Sequence, residues 1–274
     1  MPQKLSRKAR FLKEHPSCCF CGGTSPATTL DHVPPKACFP VGFWPEEFEF
    51  PSCNPCNNGT SKHDTIFGLY SMLLDFNDAN RTPADRERLK KLNEETAKRY
   101  PDALPDPTTQ EPIFHVGHII TPTPVAISVG TKPAVRDAMK VIGQKLAHAL
   151  YYREMKSIVT ADHRFFASVY QIQLAGTENL TTFFKGLLPD LRIGNRSNIK
   201  QYGARFAYMS GCKPKEDFFV FAAQFGYGLI CWGMVLGTDM QLSSSNDALQ
   251  KMDWRSGGCG LGSQAQRIYP DGPR

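Results

Sequence analysis

The chain has no apolar core behind the basic cluster at its start (Lys4, Arg7, Lys8, Arg10, Lys13), so no secretory signal is expected and the cytoplasm is. It has no internal repeat, which sets aside repeat architectures. Neither sign of charge dominates. A net charge of +6 over 274 residues is a mild basic bias, compatible with nucleic acid but not diagnostic of it. Nor are apolar residues short: at 41% hydrophobic, the chain has enough to build a sizeable core, and wholesale disorder is excluded. The nine cysteines do not pair evenly, and four of them fall in two C-x-x-C pairs, a pattern that in a cytosolic chain favours metal over disulfides.

One stretch lacks charge altogether. "FFVFAAQFGYGLICWGMVLG" (Phe218–Gly237) is long enough for a membrane helix. Gly226-Tyr227-Gly228 interrupts it with a turn signal, and both halves are rich in aromatic and branched residues. A buried two-strand hairpin is the expectation, and no membrane contact.

The basic excess lies late in the chain. Residues 1–75 carry seven Lys/Arg and seven Asp/Glu, 76–112 carry seven and eight, and 113–274 carry eighteen and eleven. The middle segment holds "TPADRERLKKLNEETAKRY" (Thr82–Tyr100), a charged connector helix with Thr82 as N-cap, Pro83 in the first turn and Asp85 closing a capping box. "PDALPDPTTQEP" then breaks regular structure, giving three expected parts: a module at 1–75, a linker at 76–112 and a module at 113–274. In the last, Val135, Met139, Ile142, Leu146 and Leu150 recur at helical spacing through Val135–Met155. "RFFASVYQIQLA", "ARFAYMS" and the two halves of the apolar run read as strands. The fold class is therefore α+β, with a sheet, a long helix packed across it and a flexible tail from Ser256.

Chemistry concentrates near the start. Cys18-x-x-Cys21 and Cys53-x-x-Cys56 supply four thiolates, enough for one tetrahedral zinc. Cys19 is an alternative to Cys18, and Cys38 reads as a buried bystander. A thiol-redox role is the weaker alternative, since it needs only one pair. The thirty-one residues between the pairs exceed the usual ribbon spacing and contain "TTLDHVPPKACFP". Thr28 to Leu30 suit a strand that Pro34-Pro35 end, which puts Asp31 and His32 at its exit. A second strand fits "FEF" (Phe48–Phe50), and Asn54-Pro55 then starts a helix, with Asn54 as its cap and Pro55 at the first helical position. Asp31 and Asn57 offer hard oxygens suited to Mg²⁺ or Mn²⁺, and unliganded His32 could take a proton from water. His63 is a further metal ligand, a phosphate contact or a cap for the helix's far end, and Asn58 and Asp64 are alternatives for the last ligand.

Residues 18–64, with "DHVPPK" followed by "PSCNPCNNGTSKHD", resemble an HNH endonuclease of the zinc-stapled ββα-metal type, and in particular bacterial HNH proteins with an α+β extension. The resemblance covers about a fifth of the chain. It implies metal-dependent hydrolysis of a phosphodiester, with DNA the expected substrate: His32 as general base, Asp31 and Asn57 (with His63) holding the divalent cation, and zinc in a purely structural role. Mobile-element or bacterial defence roles rest on the resemblance alone. The family usually carries an asparagine in the loop before the second knuckle. None occurs here between Cys21 and Cys53, and Glu46 or Glu47 occupies the region. That departure motivates the alternative, a catalytically decayed zinc module that binds nucleic acid or a protein partner.

Lys62 reads as a phosphate-facing or a solvated surface lysine, and "RIGNRSNIKQYGAR", which holds Arg192, Arg196, Lys200 and Arg205 and no carboxylate, as a loop contacting phosphate or a solvated loop between strands. A homodimer or a protein partner is expected to use the 113–274 module. His115, His118, His148 and His163 follow no ligand spacing and read as ordinary core or surface residues.

Overall fold

The structure is a computed structural model, and it describes residues 6–75, 81–104, 132–171, 192–193, 205–238 and 255–256. It combines helices with two antiparallel sheets in an α+β fold.

Helix α1 (Arg7–Glu14) begins where the Ser6 hydroxyl accepts from the Ala9 N–H at 3.2 Å. Strands β1 (Thr29–His32) and β2 (Glu49–Ser52) form an antiparallel pair that sets Asp31 opposite Phe50 and His32 opposite Glu49. Because strand side chains alternate, Asp31 turns into the core while His32 stays on the half-buried face. β2 starts one residue later than "FEF" suggests. Phe48 belongs to a short 3-10 turn (Glu46–Phe48), and its ring packs edge-on against Phe206 and Tyr208.

Helix α2 (Asn54–Asn58), by contrast, starts one residue early. Cys53 is the capping residue, its carbonyl accepting the Asn57 N–H at 3.1 Å, so the expected cap, Asn54, is already helical. Helix α3 (Ser61–Leu73) follows at once. Helix α4 (Pro83–Arg99) carries the expected capping box between Thr82 and Asp85. It is not wholly solvated: it packs along α3 with Leu92 and Thr96 buried, while its outer face holds i,i+4 ion pairs such as Lys91–Glu87 and Arg99–Glu95.

Helix α5 (Pro133–Met155) begins two residues before Val135, because a proline costs nothing in a first turn whose N–H groups have no intrahelical partner. From Val141 to Tyr151 every residue is buried, Gln144, Lys145 and His148 included. The apolar stripe read from the sequence describes only one of its faces, since α5 lies between α3 and a large sheet. That sheet is formed by β3 (Arg164–Gln171), β4 (Arg192–Ile193), β5 (Phe206–Lys213), β6 (Phe218–Phe225), β7 (Leu229–Leu236) and β8 (Arg255–Ser256), in the order β4-β5-β6-β7-β3-β8. The uncharged run folds as a hairpin: β6 and β7 pair from Phe218↔Leu236 to Phe225↔Leu229. Gly226 makes the turn at φ +53, and a Cβ there would sit 2.4 Å from the Asp75 carboxylate. No helix among the described residues is long and apolar enough to cross a membrane.

One apolar cluster runs through both ends of the described chain, from Phe20, Phe39 and Phe67 to Leu146, Phe219 and Phe225. Phe67 of α3 meets Phe225 of β6 edge-on, with ring centroids 4.9 Å apart. Residues 6–75 and the large sheet therefore share a core. The start of the proline-rich segment joins it too, as the Tyr70 hydroxyl donates to the Ala103 carbonyl at 2.9 Å. The rest of that segment, and the tail after Ser256, lie outside the described residues.

Candidate functional site

Four buried cysteines, Cys18, Cys21, Cys53 and Cys56, bring their sulfurs within 4.8 Å of one another. Zn–S bonds of about 2.3 Å in a tetrahedron need sulfurs about 3.8 Å apart, so small side-chain rotations would close this set on one ion such as zinc. The backbone supports it: the Phe20 N–H donates to the Cys18 sulfur at 3.4 Å, and Gly22 and Gly23 turn the chain after Cys21 with φ +70 and +76. Cys19 faces elsewhere, and both it and Cys38 are buried outside the group, which resolves the choice between Cys18 and Cys19. The knot joins the chain before β1 to the start of α2, closing the open end of the β1–β2 hairpin.

On the half-buried face of that hairpin, His32 Nε2 lies 3.6 Å from Glu49 Oε1, and Arg7 donates to the same carboxylate at 3.0 Å. Trp44 meets the imidazole edge-on, and Lys36 sits over the Trp44 ring at 4.3 Å. Burial, with Lys36 and Arg7 nearby, pushes the His32 imidazole down to about 4. It is thus neutral near pH 7 and able to accept a proton. Its Nδ1 is buried without a hydrogen-bond partner.

On the inner face, Asp31 meets a residue the sequence gave no reason to pair with it. Lys145 of α5 places its ammonium 3.0 Å from Asp31 Oδ2 and 3.3 Å from Oδ1. The same nitrogen lies 2.8 Å from the Thr60 hydroxyl and 3.2 Å from Asp64 Oδ1. Burial alone would pull the Lys145 pKa down, but the two carboxylates outweigh it and hold the lysine charged. Burial in turn pushes the Asp64 carboxyl up to about 6 against the pull of Lys145.

Among the four alternatives for the last ligand, only Asp64 shares a partner with Asp31. Asn57 instead braces the strand, its amide donating to the Leu30 carbonyl at 3.1 Å and, at 3.4 Å, to the Thr29 hydroxyl. Asn58 is exposed. His63 is buried with Nδ1 unpartnered, and burial followed by the Lys62 charge lowers it to about 4. Lys62 itself leans over the Tyr100 ring at 5.5 Å.

The basic stretch at 192–205 fares unevenly. Arg205 is a correction: it is buried and forked between Asp75 at 2.9 Å and Asp85 at 2.7 Å, so its charge is already met by two carboxylates and it is withdrawn from any phosphate at the surface. Arg192 begins the short strand β4, and Arg196 and Lys200 lie outside the described residues, as do His115 and His118. His163 joins Asp217 at 2.9 Å and the Tyr151 hydroxyl at 3.1 Å in a cluster remote in sequence from the hairpin.

The residue that sequence reading missed is Lys145; His148, read as an ordinary core or surface residue, is buried, and its Nδ1 donates to the Cys19 carbonyl at 3.2 Å beside the cysteine knot. A signal existed. Lys145, His148 and Tyr152 stand three and four apart, a polar row on a helix whose other side is continuously apolar. Tyr152 completes the row at His15, 2.7 Å from its Nδ1. Comparison of the chain with protein-family models, with characterised proteins and with solved structures returned no match.

Proposed function

We propose that the chain is a metal-dependent endonuclease of the zinc-stapled ββα (HNH) type, a cytoplasmic hydrolase of phosphodiester bonds with DNA as its substrate. The observation that carries this is the hairpin closed by four cysteines, with a neutral, partly exposed imidazole at its rim and a carboxylate on the preceding residue. Zinc in the cysteine knot would act only as a clamp, holding β1 against α2. His32 is the general base: its pKa leaves it unprotonated at working pH, and Glu49 and Trp44 restrict its ring. Asp31, with an oxygen from the α2–α3 segment, would hold Mg²⁺ or Mn²⁺. That ion, when bound, supplies charge stabilisation for the scissile phosphate. Asn57 acts by positioning, since its amide ties α2 to β1 one residue before Asp31.

Incubation of zinc-loaded protein with plasmid, single-stranded DNA and RNA in Mg²⁺ or Mn²⁺ tests this. Cleavage that falls about 100-fold or more in His32→Ala is expected. No cleavage of any of these substrates, or cleavage indifferent to His32→Ala, sinks the proposal.

A second reading has its own observation. Asp31 already has a cation, Lys145, and the loop between the knuckles contains no asparagine. A zinc module that binds nucleic acid or a protein partner without cutting would show retained binding, one zinc per chain and no Asp31-dependent uptake of Mg²⁺ or Mn²⁺.

A further inference from the structure

Burying a lysine in the middle of a packed helix costs several kcal/mol in desolvation unless its charge is met. Nothing in the apolar packing of α5 calls for a lysine at 145, where the neighbours Gly143, Leu146 and Ala147 are small or aliphatic. What it meets is a set of oxygens from two other elements: both oxygens of Asp31 on β1, and Thr60 and Asp64 around the start of α3. The Thr60 hydroxyl donates to the Asn57 carbonyl at 3.1 Å, so it turns a lone pair toward the ammonium. Two carboxylates and a hydroxyl make the donor set of a hard cation. The charge does not balance with lysine in place. In formal charge one ammonium faces two carboxylates, and a divalent ion would match them both.

We propose that Lys145 is a tethered cation seated in a divalent-cation site, so that its ammonium and a divalent metal ion compete for Asp31, Asp64 and Thr60. This rests on reading Asp31 as a cation-holding carboxylate. Loading the site requires the lysine stem to swing out of the oxygens, so α5, which also packs on the large sheet, controls loading. Whatever shifts α5 alters metal affinity at a strand more than a hundred positions away in sequence. His32, next to Asp31, is thereby coupled to the far side of the molecule.

Mn²⁺ titration of full-length, zinc-loaded protein, with free Mn²⁺ read by electron paramagnetic resonance, decides the matter without any cleavage assay. Lys145→Met keeps most of the aliphatic stem and removes the charge. It should bind one Mn²⁺ about tenfold or more tightly than the wild type, and adding Asp31→Asn to it should abolish the gain. Equal affinity in wild type and Lys145→Met, or a gain that survives Asp31→Asn, overturns the competition. Tight, Asp31-dependent Mn²⁺ binding by the wild type that Lys145→Met does not improve would overturn it too, while leaving the nuclease reading intact. Where zinc-loaded Lys145→Met is poorly folded without Mn²⁺, Mn²⁺ should raise its melting temperature but not that of the wild type. A variant that stays unfolded in millimolar Mn²⁺ counts against the proposal.

Discussion

Two buried clusters in this molecule each set one base against two carboxylates, and they are built for different ends. Arg205 forks between Asp75 and Asp85. The remaining oxygens there are also engaged: Asp75 Oδ1 accepts the Tyr227 N–H at 3.3 Å, and Asp85 Oδ2 accepts the Thr82 N–H at 3.0 Å. The result ties together the end of α3, the cap of α4 and the β6–β7 turn. A guanidinium is planar, with its donors in fixed directions, and no spherical ion could take its place. Lys145 is a point charge among oxygens arranged around it, beside a strand that carries an imidazole. Charge burial alone therefore does not mark a functional site. The geometry of the base, and whether the oxygens have other partners, separates a structural clamp from a seat that a metal ion could share.

Three experiments press on that contrast. The largest effect is expected from the cysteine knot. Cys53→Ser with Cys56→Ser, or strong chelation, removes a clamp of the kind worth about 10 kcal/mol in small zinc domains. Hydrogen exchange should then accelerate across residues 28–34 and 50–58, loosening the Lys145 cluster, while amides near Arg205 and Tyr227 keep their protection. Equal loss at both clusters would show that they are not independent. Next comes Arg205→Met, which strands two buried carboxylates and should cost about 3–5 kcal/mol in denaturant unfolding. Unlike Lys145→Met, it should not be rescued by Mn²⁺, and rescue would erase the distinction between the clusters.

The smallest effect concerns acid stability. His32, His63 and His148 are all held down to about 4 by burial first of all, so between pH 6.5 and 4 the unfolded chain takes up protons at these sites that the folded chain does not. Each makes folding less favourable as the pH falls through that window. Asp64, raised to about 6, works in the opposite direction, because there the folded state binds the proton first. The melting temperature of zinc-loaded protein should decline from pH 6.5 toward 4. His63→Gln should flatten the decline modestly, and an unchanged slope would mean that the unpartnered Nδ1 of His63 is not the cost it looks to be.

Much of the local structure was legible. The Thr82–Asp85 box, the turn at Gly226-Tyr227-Gly228, the hairpin around Asp31 and the pairing of the two cysteine knuckles all appear near their expected places. Boundaries slipped by one or two residues, at α2 and α5 through the capping residue and the first-turn proline, and at Phe48 through its distant ring partners. The candidate site was half legible. The place of His32 at the end of β1 followed from the strand and the prolines, although the strand runs on through Asp31 and His32 rather than ending at Leu30; the residues around His32 and the partner of Asp31 did not follow. Arg205 was misjudged for the same reason: a run of basic residues without a carboxylate says nothing of carboxylates brought in from Asp75 and Asp85. The shared core could not be seen either, since a strongly charged helix and a proline-rich stretch separate its two halves in the chain.

What the sequence by itself determined lies within a few residues: caps, turns, knuckles and strand alternation. Such features depend on hydrogen bonds and dihedral preferences that close over one turn or one pleat. What only the tertiary structure decided is which charges are buried together. That depends on α5 being packed between α3 and the sheet, where a lysine 114 positions from Asp31 has lost water on every side and must find its oxygens in whatever element faces it.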